Sequence, residues 1–188
     1  EGQPLPEHQL LAAVFTTQQW RQYRQQQQTV PLPVNEQNPR YCKLESHPDY
    51  LFGTFVIPVK GDFRRLRKFA YLIYQDRVEL VDDGDTVLPA LQKIASTRVW
   101  KQPSLAAFFS SFLEMLIAGD IRYLEALEER MSRIEDDVLA GKIKDFNHRM
   151  TEFRKELLTL NRYYSQLLTV GEELWENQNE LFDEAGLK

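Results

Sequence analysis

Between Phe146 and Leu181 a seam of apolar residues recurs at alternating steps of four and three. It comprises Phe146, Met150, Phe153, Leu157, Leu160, Tyr164, Leu167, Gly171, Leu174, Gln178 and Leu181, and only Gly171 and Gln178 interrupt its apolar character. A helix with such a stripe gains most of its stability from a partner packed along it. One candidate lies just upstream, where Ile117, Ile121, Leu124, Leu127, Met131, Ile134 and Val138 step by four or three and average 3.5 residues. Ala140-Gly141-Lys142-Ile143-Lys144 joins the two stripes, and Gly141 suits the left-handed residue that follows a helix end. The expectation is an antiparallel helical hairpin. At about 1.5 Å per residue its second arm runs on the order of 50 Å, more than a compact domain of this size needs, so the hairpin should protrude and meet something else.

Proline divides the chain. All nine prolines lie at or before Pro103, which places a boundary near Pro103-Ser104 with Ser104 as N-cap of the first long helix. The pattern predicts an α/β (α+β) fold: a mixed-sheet lobe with flanking helices over 1–103, then the hairpin over 104–188. Within the lobe, Leu10 to Phe15 reads as a buried strand and Thr17 to Gln28 as a helix turning Trp20 and Tyr23 inward. Three or four strands should follow. Tyr41 to Glu45 is one; Leu51 to Val59 is another, with Leu51, Phe55, Ile57 and Val59 on one face and Gly53 as a bulge. Phe69 to Tyr74 is apolar throughout and should be central. Gln75-Asp76 turns the chain into Arg77 to Val81, with Val78 and Leu80 inward and Arg77 and Glu79 outward. Asp82-Asp83-Gly84-Asp85 then caps a short helix from Thr86 to Ser96. Past Ser104, Leu105, Phe108, Phe109, Phe112, Leu113, Leu116 and Ile117 form a wide apolar face that should dock on the lobe.

Charge narrows the partners. Residues 1–100 hold 12 basic and 11 acidic groups, whereas 101–188 hold 11 and 17, so a net of +1 is followed by −6. An acidic helical arm is a poor partner for nucleic acid, whose phosphates need clustered Lys and Arg. The longest apolar runs, Leu10 to Phe15 and Phe69 to Tyr74, fall far short of the ~20 residues of a membrane helix. No signal peptide is visible, although the chain begins at Glu1 rather than Met. Cys42 is the single cysteine, which excludes an internal disulfide and fits a reducing compartment.

Little in the sequence points to catalysis. His8, His47 and His148 lack the spacing that gathers zinc ligands, and neither a Gly-rich phosphate loop nor a nucleophile elbow occurs. The expectation is a non-enzyme. Aligning Gly84 with the sixth position of a calcium loop puts Val81 and Ala90 where oxygen ligands belong, so the Asp82 to Asp85 turn reads as a cap. Arg64, Arg65, Arg67 and Lys68 form the one dense basic cluster and read as a solvated loop between two strands. Glu125, Glu128, Glu129, Glu135, Asp136 and Asp137 lie outside the seam of the first arm. The pair Glu129 and Arg133 suits a solvated face, while Glu125, Glu128, Glu129, Asp136 and Asp137 are also the acidic candidates for a weakly held, hydrated Mg²⁺, which needs only one or two carboxylates.

Four stretches together resemble the cytosolic domain of the CorA-type magnesium and cobalt transporter family, which has a zinc-transporting branch: LFGTFVIPV at 51–59, FAYLIYQDRVELVDD at 69–83, RYLEALEERMSRIEDDVLAGK at 122–142 and RKELLTLNRYYSQLL at 154–168. The resemblance implies an α/β lobe and hairpin preceding a stalk helix and two membrane spans around a Gly-Met-Asn loop. It also implies a homopentamer at the cytoplasmic face of the cell membrane, regulated by Mg²⁺ or another divalent cation held between subunits and with no tightly bound cofactor. None of the family's metal ligands matches a position here one for one. The alternative on the same residues is a stand-alone cytoplasmic scaffold whose hairpin pairs with another helix, since a heptad reports a packing need and not a purpose.

Overall fold

The computed structural model describes residues 11–27, 39–97, 104–142, 145–176 and 180–182. Expectations resting on His8, Leu10, Gln28, Pro103 and Gln178 lie outside them. The described elements are β1 (Leu11–Phe15), α1 (Thr17–Gln27), β2 (Lys43–Ser46), β3 (Leu51–Val59), β4 (Asp62–Ile73), β5 (Arg77–Val81), α2 (Val87–Thr97), α3 (Leu105–Ile117), α4 (Asp120–Leu139) and α5 (Phe146–Glu176). The strands form one sheet in the order β1-β5-β4-β3-β2. β1 runs parallel to β5 and the other neighbours are antiparallel, so the sheet is mixed, as expected.

Alternation along the strands sorts the sheet into two covered faces. On one, Leu51, Phe55, Ile57, Phe69, Tyr71, Ile73, Val78 and Leu80 meet α2, α3 and α5 in the main core. On the other, Phe52, Ala70, Leu72 and Val81 lie under Trp20 of α1. Covering both faces corrects the outward placement of Glu79. It points to the α1 side but is 1% exposed, accepting hydrogen bonds from Trp20 Nε1 at 3.2 Å and Arg77 Nε at 3.0 Å. A carboxylate so deep persists because both oxygens have donors, one of them charged. β1, expected to be buried, is an edge strand with Leu11 44% exposed.

Gly53 is not a bulge. It stands in regular register opposite Tyr71, and the irregularity in the β3–β4 ladder falls at Pro58/Val59. Glycine is required because the Tyr71 ring lies across it: a Cβ there would sit 2.1 Å from Tyr71 Cζ. The basic cluster is not a loop either. Arg64, Arg65, Arg67 and Lys68 belong to β4, whose first half pairs with β3 while β5 covers only Ala70 to Ile73. Charges along a ladder left open on one side disfavour addition of another strand, which gives the cluster a structural reason.

The caps follow local sequence. Thr16 and Gln19 exchange backbone and side-chain hydrogen bonds at the start of α1, a reciprocal capping box. Asp82 accepts from the backbone N–H of Gly84, Thr86 and Val87 and so starts α2, while Asp83 accepts from Thr17 N and Oγ1 and ties α1 to the same turn. Ser104 caps α3 through Ala107 N. Gly141 takes φ 64° after α4, the left-handed conformation that glycine adopts at least cost.

The hairpin forms but its seams divide. The first arm is broken at Ala118-Gly119, so Ile117 ends α3 and is 42% exposed, and Ile121, in α4, is 73% exposed. In α5 the buried residues are Phe153, Leu160, Tyr163 and Val170. Phe153 and Leu160 meet Leu127 of α4 and the flank of Phe63, whereas Tyr163 and Val170 turn toward the sheet core. A straight helix drifts by ~20° per heptad relative to a 3.5-residue repeat, and two different partners along its length account for the shift from Tyr164 to Tyr163. Helix α5 is described to Glu176, and Leu181 and Phe182 are not helical, with Phe182 buried in the main core, so the helical arm expected through Leu181 does not reach it.

Candidate interaction surface

The base of the hairpin is fixed by a charged group. Asp120 opens α4, where a carboxylate suits the helix N-terminus, and is only 5% exposed. Its Oδ1 accepts from Lys60 Nζ in the β3–β4 turn, and its Oδ2 accepts from Tyr164 OH of α5 at 2.8 Å. Three elements distant in sequence therefore converge on one carboxylate. Burial first, and the nearby Arg67 second, push the Lys60 ammonium below its ordinary value, while contact with Asp120 favours the charged form. Farther along, Glu156 of α5 accepts from Tyr123 OH and takes a two-point contact from Arg130 of α4, at 3.1 and 3.0 Å. Burial and the hydrogen bond to Glu156 raise the Tyr123 phenol to about 12, so it stays a donor at neutral pH.

Beside Asp120 opens a groove of about 1060 Å³ between the α3–α4 junction and the C-terminal half of α5. Ile117, Ile121, Leu124, Leu167, Leu168 and Trp175 supply its apolar lining, and Glu114, Glu172 and Glu176 stand at its rim. Leu168 is 69% and Trp175 65% exposed, large apolar surface of the sort that marks an interaction site. Gly171 lines the same groove, and a Cβ there would meet nothing within 4 Å. Glycine inside a helix costs up to ~1 kcal/mol relative to alanine, and no described neighbour within this chain requires it here. The sequence carried a signal for this surface beside the main seam: Leu168 and Trp175, outside it, stand three residues before and four after Gly171, which belongs to it.

The acidic candidates do not converge. Glu125, Glu128, Glu129 and Asp136 are exposed along α4, and Asp137 is half-buried near Arg130, Arg133, His148 and Arg149. Glu129 pairs with Arg133 at 3.7 Å, the solvated-face arrangement. Among the described residues, no group of three or more His, Cys, Asp or Glu is placed to hold a metal ion. No described helix is long and apolar enough to cross a membrane. Cys42 is buried and free, with burial raising its thiol to about 11, well away from a reactive thiolate.

No protein-family model matches the sequence, and no curated protein matches it. Solved structures do match the fold. The complete CorA magnesium transporter of Methanocaldococcus jannaschii superposes with a TM-score of 0.70 at 15% identity, over 95% of this chain and 58% of that one. The soluble domain of the same organism's CorA gives 0.61 at 16% identity, over 78% of this chain and 60% of that one. The ZntB cytoplasmic domain of Vibrio parahaemolyticus gives 0.63 at 14% identity, over 86% and 66%. The chain thus spans about six tenths of the length of the structures it matches, and it has the fold of the CorA-type cytoplasmic domain.

Proposed function

We propose that the chain is the cytoplasmic, regulatory part of a CorA-like divalent cation transporter of the magnesium, cobalt or zinc type. The observation that carries this reading is the fold itself: a five-stranded mixed sheet, covered on both faces, from which a long acidic hairpin departs, in the arrangement of the CorA and ZntB domains. The open groove supports it. An apolar channel with a glycine at its floor suits a helix, and in a transporter of this architecture that helix is the stalk or a neighbouring subunit. That the solved structures sharing this fold are transporter domains supports a non-enzymatic reading.

Regulation, on this reading, operates between copies. No three of the carboxylates Glu125, Glu128, Glu129, Asp136 and Asp137 gather within one chain, so a regulatory Mg²⁺ would keep several waters on one or two of them, and carboxylates of an adjacent subunit would give it a second point of attachment. Bound metal bridges acidic faces and holds the closed assembly; its loss lets like charges repel and shifts the population toward conducting states. Two measurements test the proposal. The coding sequence past Lys188 should contain two apolar stretches of ~20 residues flanking Gly-Met-Asn, and a stop codon directly after Lys188 would favour the scaffold instead. The full-length protein in liposomes should pass Mg²⁺, Co²⁺ or Zn²⁺ at a rate that falls as cytoplasmic-side Mg²⁺ rises. Neutralising Glu125, Glu128 and Glu129 together should blunt that fall, and unchanged metal sensitivity would remove these residues from the account.

A further inference from the structure

From Leu113 to Ala126 the chain buries one residue, and that residue is charged: Asp120. The last fully buried side chain of α3 is Phe112 and the next in α4 is Leu127, so the junction between them has no apolar anchor comparable to either. Gly119, the N-cap of α4, makes no side-chain capping bond. Ile121 and Arg122 project into solvent. Leu113, Met115 and Leu116 pack partly buried against the main core, and Tyr123 and Leu124 against the Leu127, Phe153 and Leu160 cluster, so the stretch without apolar anchoring is 117–122, which Lys60 and Tyr164 hold through Asp120. The other wall of the groove is different in kind, since α5 is anchored to the sheet core by Tyr163 and Val170 and to the residue just before β2 by Gln166, which accepts from Cys42 N at 2.9 Å.

We propose that the Lys60–Asp120–Tyr164 cluster is a latch, and that the first turns of α4 are the movable wall of the groove, released when the latch is broken. Asp120 and Tyr164 both line the groove, so whatever fills it touches the latch directly. The asymmetry between a polar-held wall and an apolar-held wall gives the motion its direction: α4 moves and α5 stays. Hydrogen bonds to a buried carboxylate are strong while water is excluded and are replaced by water once the site opens, so the latch has a closed and a hydrated state rather than a continuum. The inference uses the proposed function only to say what fills the groove, and the wall's movement can be measured with no partner present.

Hydrogen exchange read by mass spectrometry on the 188-residue chain tests it, using Tyr164→Phe, which removes one donor, and Lys60→Met with Asp120→Leu, which removes the charges together. Loss of a hydrogen bond to a charged group corresponds to ~10-fold or more in a local opening equilibrium. Exchange across 114–126 should therefore accelerate about tenfold in Tyr164→Phe and by less in the double variant, where apolar side chains replace both charges, with peptides from 69–73 and 160–170 changing less than about twofold. The opened groove should also bind more anilinonaphthalene sulfonate, and adding Leu168→Asp should abolish the increase. Unchanged exchange at 114–126, or acceleration by the same factor throughout the chain, would show that the cluster merely stabilises the fold. If the double variant does not fold, Tyr164→Phe alone decides the matter by the same two outcomes.

Discussion

Replacing Gly53 with alanine adds one methyl group at the most crowded point of the sheet. The new Cβ would lie 2.1 Å from Tyr71 Cζ, 2.2 Å from its oxygen and 2.5 Å from the backbone oxygen of Lys43. Tyr71 has little room to retreat: it is 0% exposed, stacks on Phe55 with ring centroids 5.0 Å apart, contacts Phe109 at 5.5 Å and donates to Lys43 O at 3.1 Å. Overpacking a core costs roughly 1–3 kcal/mol, and displacing the ring sacrifices a hydrogen bond worth about 1 kcal/mol more. Against this, alanine restricts the unfolded chain and returns about 0.4–1 kcal/mol. The net expectation is a loss of about 2–3 kcal/mol, or about 4–12 °C in Tm for a chain of this size. Urea denaturation followed by circular dichroism should show a lower midpoint with an unchanged slope. Tyr71→Leu, costly by itself, should make the alanine tolerable, with a coupling of at least ~1 kcal/mol in the double-mutant cycle. Additive costs, or a Gly53→Ala variant within about 0.5 kcal/mol of the parent, would refute the claim that the ring dictates the glycine.

Three further outcomes follow from the same geometry. Glu79→Ala should cost about 2 kcal/mol by urea denaturation and shift Trp20 emission, because it strands the buried indole N–H, while the partly exposed Arg77 keeps Asp76; a solvent-facing Glu79 would make the change silent. Asp82→Ala should cost about 2 kcal/mol and raise amide exchange in α2, since three backbone donors lose one carboxylate, and Asp83→Ala about 1 kcal/mol with the effect confined to α1; equal losses would contradict these separate caps. Burial lifts the Cys42 thiol from its ordinary value of 9.0 to about 11, so its stabilising contribution is complete below pH 9 and declines as pH rises through about 11. Stability of the parent should accordingly fall by on the order of 2 kcal/mol across that interval relative to Cys42→Ala, and parallel pH curves would exclude the thiol as the cause.

Much of the fold was legible because it is written in short-range patterns. Alternation marked β3 and β5, the unbroken apolar run marked the centre of β4, and Ser104 and Gly141 announced helix ends by the chemistry of their own backbone positions. The heptads announced a hairpin because a helical stripe needs a partner whatever that partner is. The candidate surface was only half visible: Ile117, Ile121, Leu124 and Leu167 were found as seam residues expected to be covered, and the structure leaves Ile117 and Ile121 exposed in the groove instead.

The sequence by itself determined most of the strands and helices, several of their caps, and that the helical half carries excess negative charge, since each is settled by neighbours within a few residues; it did not show that β4 reaches back to Asp62 or that the first arm breaks at Ala118-Gly119. Only the tertiary structure decided that Glu79 is buried, that Gly53 yields to a ring eighteen positions away, that the basic cluster lines an open ladder and that Lys60, Asp120 and Tyr164 share one site. These depend on which face a distant element covers. A local pattern fixes the direction in which a side chain points, but its solvation and partners are set by whatever the rest of the chain brings to that side.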